Sequence, residues 1–131
     1  MSEPTTPETP WLVAIRRMAM PADTNAHGTI FGGLILSLID QAGAIAAQSS
    51  GASKVVTIAM DKIVFHEPVH VGDLITCLAR VTKRGRTSMT VCVRVEAEAP
   101  SSLAKKIDPR RVTEAEVVYV QVDDHGRPLP L

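Results

Sequence analysis

One carboxylate, Asp40, stands inside the run GGLILSLIDQAGAIAA, where nearly every other side chain is apolar or small. At helical spacing its neighbours are Leu36, Ser37, Gly33, Gly43, Ala44 and Ala47, so a helix through this run presents the acid on a face that another group can approach closely. A carboxylate stripped of water and left without a hydrogen-bond donor takes up a proton more readily, which suits a general base near neutral pH. Gly28, Gly32 and Gly33 cluster just before the helix. A helix start exposes unpaired amides at the positive end of the helix dipole, able to polarise a carbonyl or hold an oxyanion. Helix-start amides together with an acid two turns further on form an arrangement suited to acyl transfer. Each part also has an ordinary reading: an acid in a helix often serves only to bond a neighbour such as Ser37, and glycines before a helix often only form a turn. The glycines do not make a dinucleotide fingerprint, because their spacing, a following parallel strand and its terminal acid are all missing.

The remaining reactive residue types offer less. His66 and His70 flank Pro68 and cannot sit one turn apart on a helix as a zinc pair would, so no metal is assigned. His27 lies in the loop before the helix, where a proton carrier and a simple surface residue are equal readings. Asp61 is a second acid among Ile58, Met60, Ile63 and Val64, but beside Lys62 it is expected to point outward, and it serves as a control for Asp40. Lys105, Lys106, Arg110 and Arg111 make a basic stretch that reads as a solvated loop before it reads as a phosphate site. Cys77 and Cys92 fall in consecutive strand-like runs, and symmetric pairing of those runs sets them diagonally, a poor geometry for a disulfide. Two reduced thiols and a cytoplasmic location are expected.

The elements that must position these residues follow from pattern. Residues 11–19 alternate like a short strand, 20–33 are rich in turn formers including Pro21, Asp23 and Asn25, and 33–49 read as a helix apolar on most of its circumference. Residues 55–66, 74–84, 87–98 and 112–122 read as long β-branched strands, with a tight hairpin at Gly85 and a polar connection over 100–111. The order is strand, helix, four strands: an α+β domain over 11–124, with a flexible lead-in over 1–10 and a flexible tail over 125–131. One sheet covers one side of such a helix and leaves it too apolar for a free monomer, which predicts self-association. With 131 residues, 14 acidic against 14 basic side chains, and aromatics at 3%, the chain lacks both the field and the stacking platforms of a nucleic-acid binder. No apolar run reaches the roughly 18 residues of a membrane span.

The run DTNAHGTIFGG followed by LILSLIDQAG resembles the signature of the hotdog-fold acyl-CoA thioesterases of the YciA type. The resemblance continues through VTIAMDKIVFHEPVHVGD, through KRGRTSMTV at the hairpin, and through VTEAEVVYVQVDDHGRP. It implies a long central helix wrapped by a curved five-stranded antiparallel sheet, dimers joined sheet edge to sheet edge, and a trimer of such dimers. It also implies hydrolysis of acyl-CoA without a cofactor. Asp40 falls on the family's general base or nucleophile, Asn25 on a residue contributed by the opposite protomer, and Gly32 and Gly33 on the amides that hold the thioester oxygen. Gly85, Arg86, Thr87 and Ser88 fall near the coenzyme A moiety. The rival functions are a non-catalytic acyl-CoA-binding or regulatory module, and a hotdog dehydratase, which usually opposes a His to its acid.

Overall fold

The computed structural model describes residues 9–131, so most of the lead-in expected over 1–10 lies outside the described residues. The elements are β1 (Leu12–Met18), a 3-10 turn (Pro21–Asp23), α1 (Gly32–Ser49), β2 (Lys54–Phe65), β3 (Leu74–Arg84), β4 (Ser88–Glu98), α2 (Pro100–Lys105) and β5 (Arg110–Val122). The strands form one five-stranded sheet in the order β1-β3-β4-β5-β2, with every neighbour antiparallel. Strand alternation supplies its inner face: Met89, Val91, Val93, Val95 and Ala97 of β4 are buried, while the residues between them are half-buried on the opposite side. Against that face packs the stripe Ile35, Leu38, Ile39, Ala42, Gly43, Ala46 and Ala47 of α1. The helix lies in the concavity of the sheet, as the resemblance implies. Leu36 and Ala44 remain half-buried and Ile45 is exposed, so one protomer leaves part of its central helix uncovered.

The sheet has two edges, and β2 is the more apolar one. Val56, Ile58, Val64 and Phe65 are all exposed there, with Ile58 at 60%. An open edge of this kind is a template for pairing with another chain. The pairing of β2 with β5 slips twice, after Thr57 and after Asp61. At the second slip Lys62 adopts a left-handed backbone (φ 57°) and its ammonium reaches Glu116 at 2.9 Å. Asp61 is exposed and accepts a bond from the Lys62 amide, the outward position expected of it.

Two segments differ from the pattern reading. The connection over 100–111 contains the short helix α2, which starts with Pro100 in its first turn, where a missing N–H costs nothing. It carries no apolar stripe that periodicity could detect. The stretch after Asp124, expected as a loose tail, folds back: Asp123 closes a turn by accepting from the amides of His125 and Arg127, Leu129 N–H donates to Gln121 O at 2.8 Å, and Leu131 N–H donates to Arg86 O at 2.9 Å. A polar Pro- and Gly-rich sequence looks unstructured when its partners lie far away in the chain. Both cysteines are free; Cys77 opposes Val95 and faces the core, whereas Cys92 opposes Arg80 on the outer face. No helix among the described residues is long and apolar enough to cross a membrane.

Candidate active site

Asp40 projects from the middle of α1 and is half-buried. Its carboxylate accepts a hydrogen bond from the Thr57 hydroxyl at 2.6 Å. Ser37, the ordinary local partner, instead accepts from Gln41. On β5 the residue directly opposite Thr57 is Tyr119, and its hydroxyl donates to the Asp40 backbone carbonyl at 2.6 Å. The register of β2 against β5 thus delivers two hydroxyls to one residue of the helix, one to its carboxylate and one to its main chain. Burial, and then the charge of Asp40, pushes the Tyr119 phenol far above its ordinary range, so it stays a donor. Gly43 makes this approach possible: a β-carbon there would run into the Tyr119 hydroxyl and ring.

Upstream, the loop over 20–31 is fixed by its own polar side chains. Asp23 accepts from the Met20 amide and from Arg17 at 2.7 Å, and its backbone carbonyl accepts from Phe31 N–H. Asn25 spans the turn: its Oδ1 accepts from the amides of His27 and Thr29, while its Nδ2 donates to the Thr29 hydroxyl at 3.0 Å. Within one protomer, therefore, the Asn25 side chain holds its own loop and makes no hydrogen bond to Asp40 among the described residues. His27 is exposed on that loop.

At the start of α1 the cap position is Phe31, which has no side chain able to bond the first-turn amides. Gly32 and Gly33 thus begin the helix with amides that have no partner within it. The Phe31 ring, 57% exposed, lies against Gly33, where any β-carbon would collide with it. On the Gly32 side opens a groove of about 320 Å³ lined by Ile30, Ile35, Phe65, Val69 and Val112. At the far end of the helix, Arg84 donates to Ser50 O at 3.1 Å and brings the β3–β4 hairpin alongside. Gly85 and Arg86 are exposed there, Thr87 and Ser88 are half-buried, and Gly85 N–H closes the turn on Ser88 O at 2.8 Å.

The candidate residues thus occupy three stations along one helix: Gly32 and Gly33 at its start, Asp40 at its middle, and Gly85, Arg86, Thr87 and Ser88 beside its end. Sequence reasoning missed Thr57, Tyr119 and Phe31. Thr57 is one β-branched residue among many in its strand, and nothing local marks it; only the phenol's place opposite it and the glycine under the phenol reveal the cluster. Lys105, Lys106 and Arg111 are exposed, and Arg110 pairs with the buried Asp73, which gives Arg110 a structural role. Among the described residues no group of three or more His, Cys, Asp or Glu is placed to hold a metal ion.

A helix held in a curved antiparallel sheet, with an acid at its middle and a glycine pair at its start, defines the hotdog class of thioesterase folds. Residues 27–104 match the model of the Thioesterase superfamily, and the chain belongs to that family. It is 43% identical over 120 residues to the acyl-CoA thioester hydrolase YciA of Salmonella typhimurium, covering 91% of this chain and 89% of that protein. Among solved structures it is similar to Cj0915 of Campylobacter jejuni, a hexameric hotdog fold thioesterase (TM-score 0.80, 45% identity, 90% of this chain and 88% of that one). It is also similar to an acyl-CoA hydrolase of Staphylococcus aureus, solved with butyryl coenzyme A and coenzyme A (TM-score 0.79, 30% identity, 88% of this chain and 68% of that one). The fold is the hotdog fold expected from the sequence.

Proposed function

We propose that the protein hydrolyses acyl-CoA thioesters to a free carboxylic acid and coenzyme A, with Asp40 as the residue that activates water or attacks the carbonyl. The observation that carries this reading is the half-buried Asp40 carboxylate, held by the Thr57 hydroxyl at 2.6 Å on a helix whose neighbouring Leu36 and Ala44 are also only half-buried. As a base, Asp40 takes a proton from water as the oxygen adds to the thioester carbon. The carbonyl oxygen becomes an oxyanion, and when the C–S bond breaks the proton passes to the leaving thiolate. As a nucleophile, the same carboxylate attacks the thioester carbon and displaces the coenzyme A thiolate, leaving a mixed anhydride. Water then cleaves the anhydride to the free acid and the restored Asp40 carboxylate, and the proton it releases goes to the thiolate. Thr57 holds the carboxylate oxygen in either route, and Tyr119 fixes the helix backbone at that residue. The Staphylococcus aureus hydrolase supports the pairing: it has been solved with an aspartate replaced by alanine and with a threonine replaced by alanine, residues whose numbers differ by 17, the same separation as Asp40 and Thr57.

Helix geometry argues that the site is shared. Gly33 precedes Asp40 by seven residues, so along one helix axis they stand about 10 Å apart, whereas in direct attack an oxyanion donor and the nucleophile must each lie within about 3 Å of the same carbonyl. In that route the amides of Gly32 and Gly33 that serve a given Asp40 belong to a second protomer, together with the adjoining Asn25 that the resemblance assigns to the opposite protomer. The exposed edge of β2 and the uncovered side of α1 are the surfaces through which two protomers join. A trimer of such dimers follows the hexameric Campylobacter jejuni relative. The hairpin from Gly85 to Ser88 holds the coenzyme A moiety, with Arg86 facing its phosphates.

Thiol release from a panel of acyl-CoA thioesters, from acetyl to palmitoyl, tests the activity. Asp40→Asn is expected to abolish release while oligomer size and coenzyme A binding persist; full activity in that variant overturns the assignment. Binding without release from any thioester by the unaltered protein would point to a non-catalytic acyl-CoA-binding module instead. Mixing Asp40→Asn with Asn25→Ala protomers is expected to restore part of the activity through sites that combine the two intact halves, and no recovery argues against sharing.

A further inference from the structure

Gln121 is a buried amide, 6% exposed, near the end of β5, and it is hydrogen-bonded on every side. Its Oε1 accepts from Ser53 N–H at 2.7 Å and from the Ser53 hydroxyl at 3.2 Å, in the turn between α1 and β2. Its Nε2 donates to Pro130 O at 3.0 Å and to Leu129 O at 3.3 Å, in the folded-back tail. Its main chain takes part as well: Gln121 N–H donates to Thr87 O at 2.8 Å, and Gln121 O accepts from Leu129 N–H at 2.8 Å. The tail then closes the circuit, because Leu131 N–H donates to Arg86 O at 2.9 Å. The two central residues of the β3–β4 hairpin are thus tied at consecutive carbonyls, Thr87 by Gln121 and Arg86 by the tail that Gln121 holds.

An exposed hairpin tip ordinarily samples many conformations, and ordering it at the moment of ligand binding weakens affinity. Here the ordering is built in. We propose that Gln121 is a positioning residue for the coenzyme A moiety: through the tail over 129–131 it holds the hairpin at Arg86 and Thr87 in its binding conformation before substrate arrives. The inference rests on the reading that this hairpin holds coenzyme A. It assigns a role in binding to a tail that, by composition alone, looks dispensable. The role is confined to the nucleotide end of the substrate, because Gln121 makes no hydrogen bond to Asp40, Thr57 or the helix start among the described residues.

The test compares two substrates carrying the same acyl group, the coenzyme A thioester and the N-acetylcysteamine thioester, which lacks the nucleotide and its phosphates. Gln121→Leu removes the amide at similar size, and Leu131→Pro removes the N–H that reaches Arg86 while the Gln121 side chain and its bonds to Ser53 are kept. Both variants are expected to raise KM for the coenzyme A thioester about fivefold, the effect of roughly one lost hydrogen bond, with kcat within about twofold and the N-acetylcysteamine thioester turned over as before. An equal loss on both substrates makes Gln121 a merely structural residue, and no change on either removes the tail from substrate binding; each overturns the proposal. If Gln121→Leu does not fold, Leu131→Pro alone decides. Arg86→Ala, measured in parallel, separates the two layers: an unchanged KM there defeats the hairpin reading itself, whereas a raised KM with inert Gln121→Leu and Leu131→Pro defeats only the positioning role.

Discussion

Thr57→Val is the sharpest probe of the catalytic role proposed for Asp40. The substitution removes the hydroxyl that donates to the Asp40 carboxylate at 2.6 Å and keeps the branched shape that suits a strand. Thr57 is exposed within the protomer, so little packing is lost. A hydrogen bond to a charged group contributes about 1.5–3 kcal/mol. If it orients the carboxylate as the thioester reacts, its loss lowers kcat/KM by about 10- to 150-fold. Thr57→Ser, which keeps the hydroxyl, should lie within about threefold of the native enzyme, the difference reflecting the freer rotamer. The assay is continuous thiol release from a short-chain acyl-CoA, with size and thermal melting checked for each variant. The two residues act as one unit, so adding Thr57→Val to Asp40→Asn should cost nothing further. Native kcat/KM in Thr57→Val, beside an inactive Asp40→Asn, would refute the role given to the hydroxyl.

Other consequences concern packing, assembly and the thiols. Gly43→Ala drives a methyl into the Tyr119 phenol and should destabilise the fold by about 1–2 kcal/mol, because overpacking of about 1–3 kcal/mol outweighs the helix propensity gained. In a Tyr119→Phe background the nearest clash is gone, so a double-mutant cycle in urea at fixed protomer concentration should show coupling of about 1 kcal/mol, and strict additivity would contradict this packing. Ile58→Lys places a charge on the apolar β2 edge and should yield a smaller species by light scattering with loss of thiol release; an unchanged assembly would exclude this edge as the interface. Burial holds the Cys77 thiol protonated up to about pH 11, against an ordinary 9.0, and partial burial with a hydrogen bond to the Glu114 carboxylate does the same for Cys92. Alkylation by iodoacetamide at pH 8 should therefore be about 100-fold slower than for a free thiol and rise with pH until about 11; rapid labelling at pH 8 would show that these thiols are not buried as described.

The elements were legible because each carries a strong local signal. The β-branched runs gave β2, β3, β4 and β5 to within a residue or two, and the apolar stretch gave α1. The helix α2 and the folded-back tail were not legible, since α2 is short and has no apolar stripe, and the tail is held by groups outside itself, Arg86 and Gln121. The candidate site divides in the same way. Asp40 stood out as the one acid in an apolar helix, and Gly32 and Gly33 as glycines at a helix start, because type and position in the chain suffice to mark them. Thr57 and Tyr119 did not, because a threonine or tyrosine in a strand is ordinary until its register is known.

Local side-chain pattern is thus enough to say which residues form helix and strand, that the helix is too apolar to stand alone, and that one acid lies at its centre, because each of these depends on short stretches of chain. What that acid touches follows from the packing of the folded chain. The pairing of β2 with β5 sets Thr57 opposite Tyr119, and the missing side chain of Gly43 lets the phenol reach the Asp40 carbonyl while the threonine holds its carboxylate. Strand register is settled by packing a whole sheet against a helix, where a slip of one residue turns every side chain to the other face, and no short stretch of sequence contains that information.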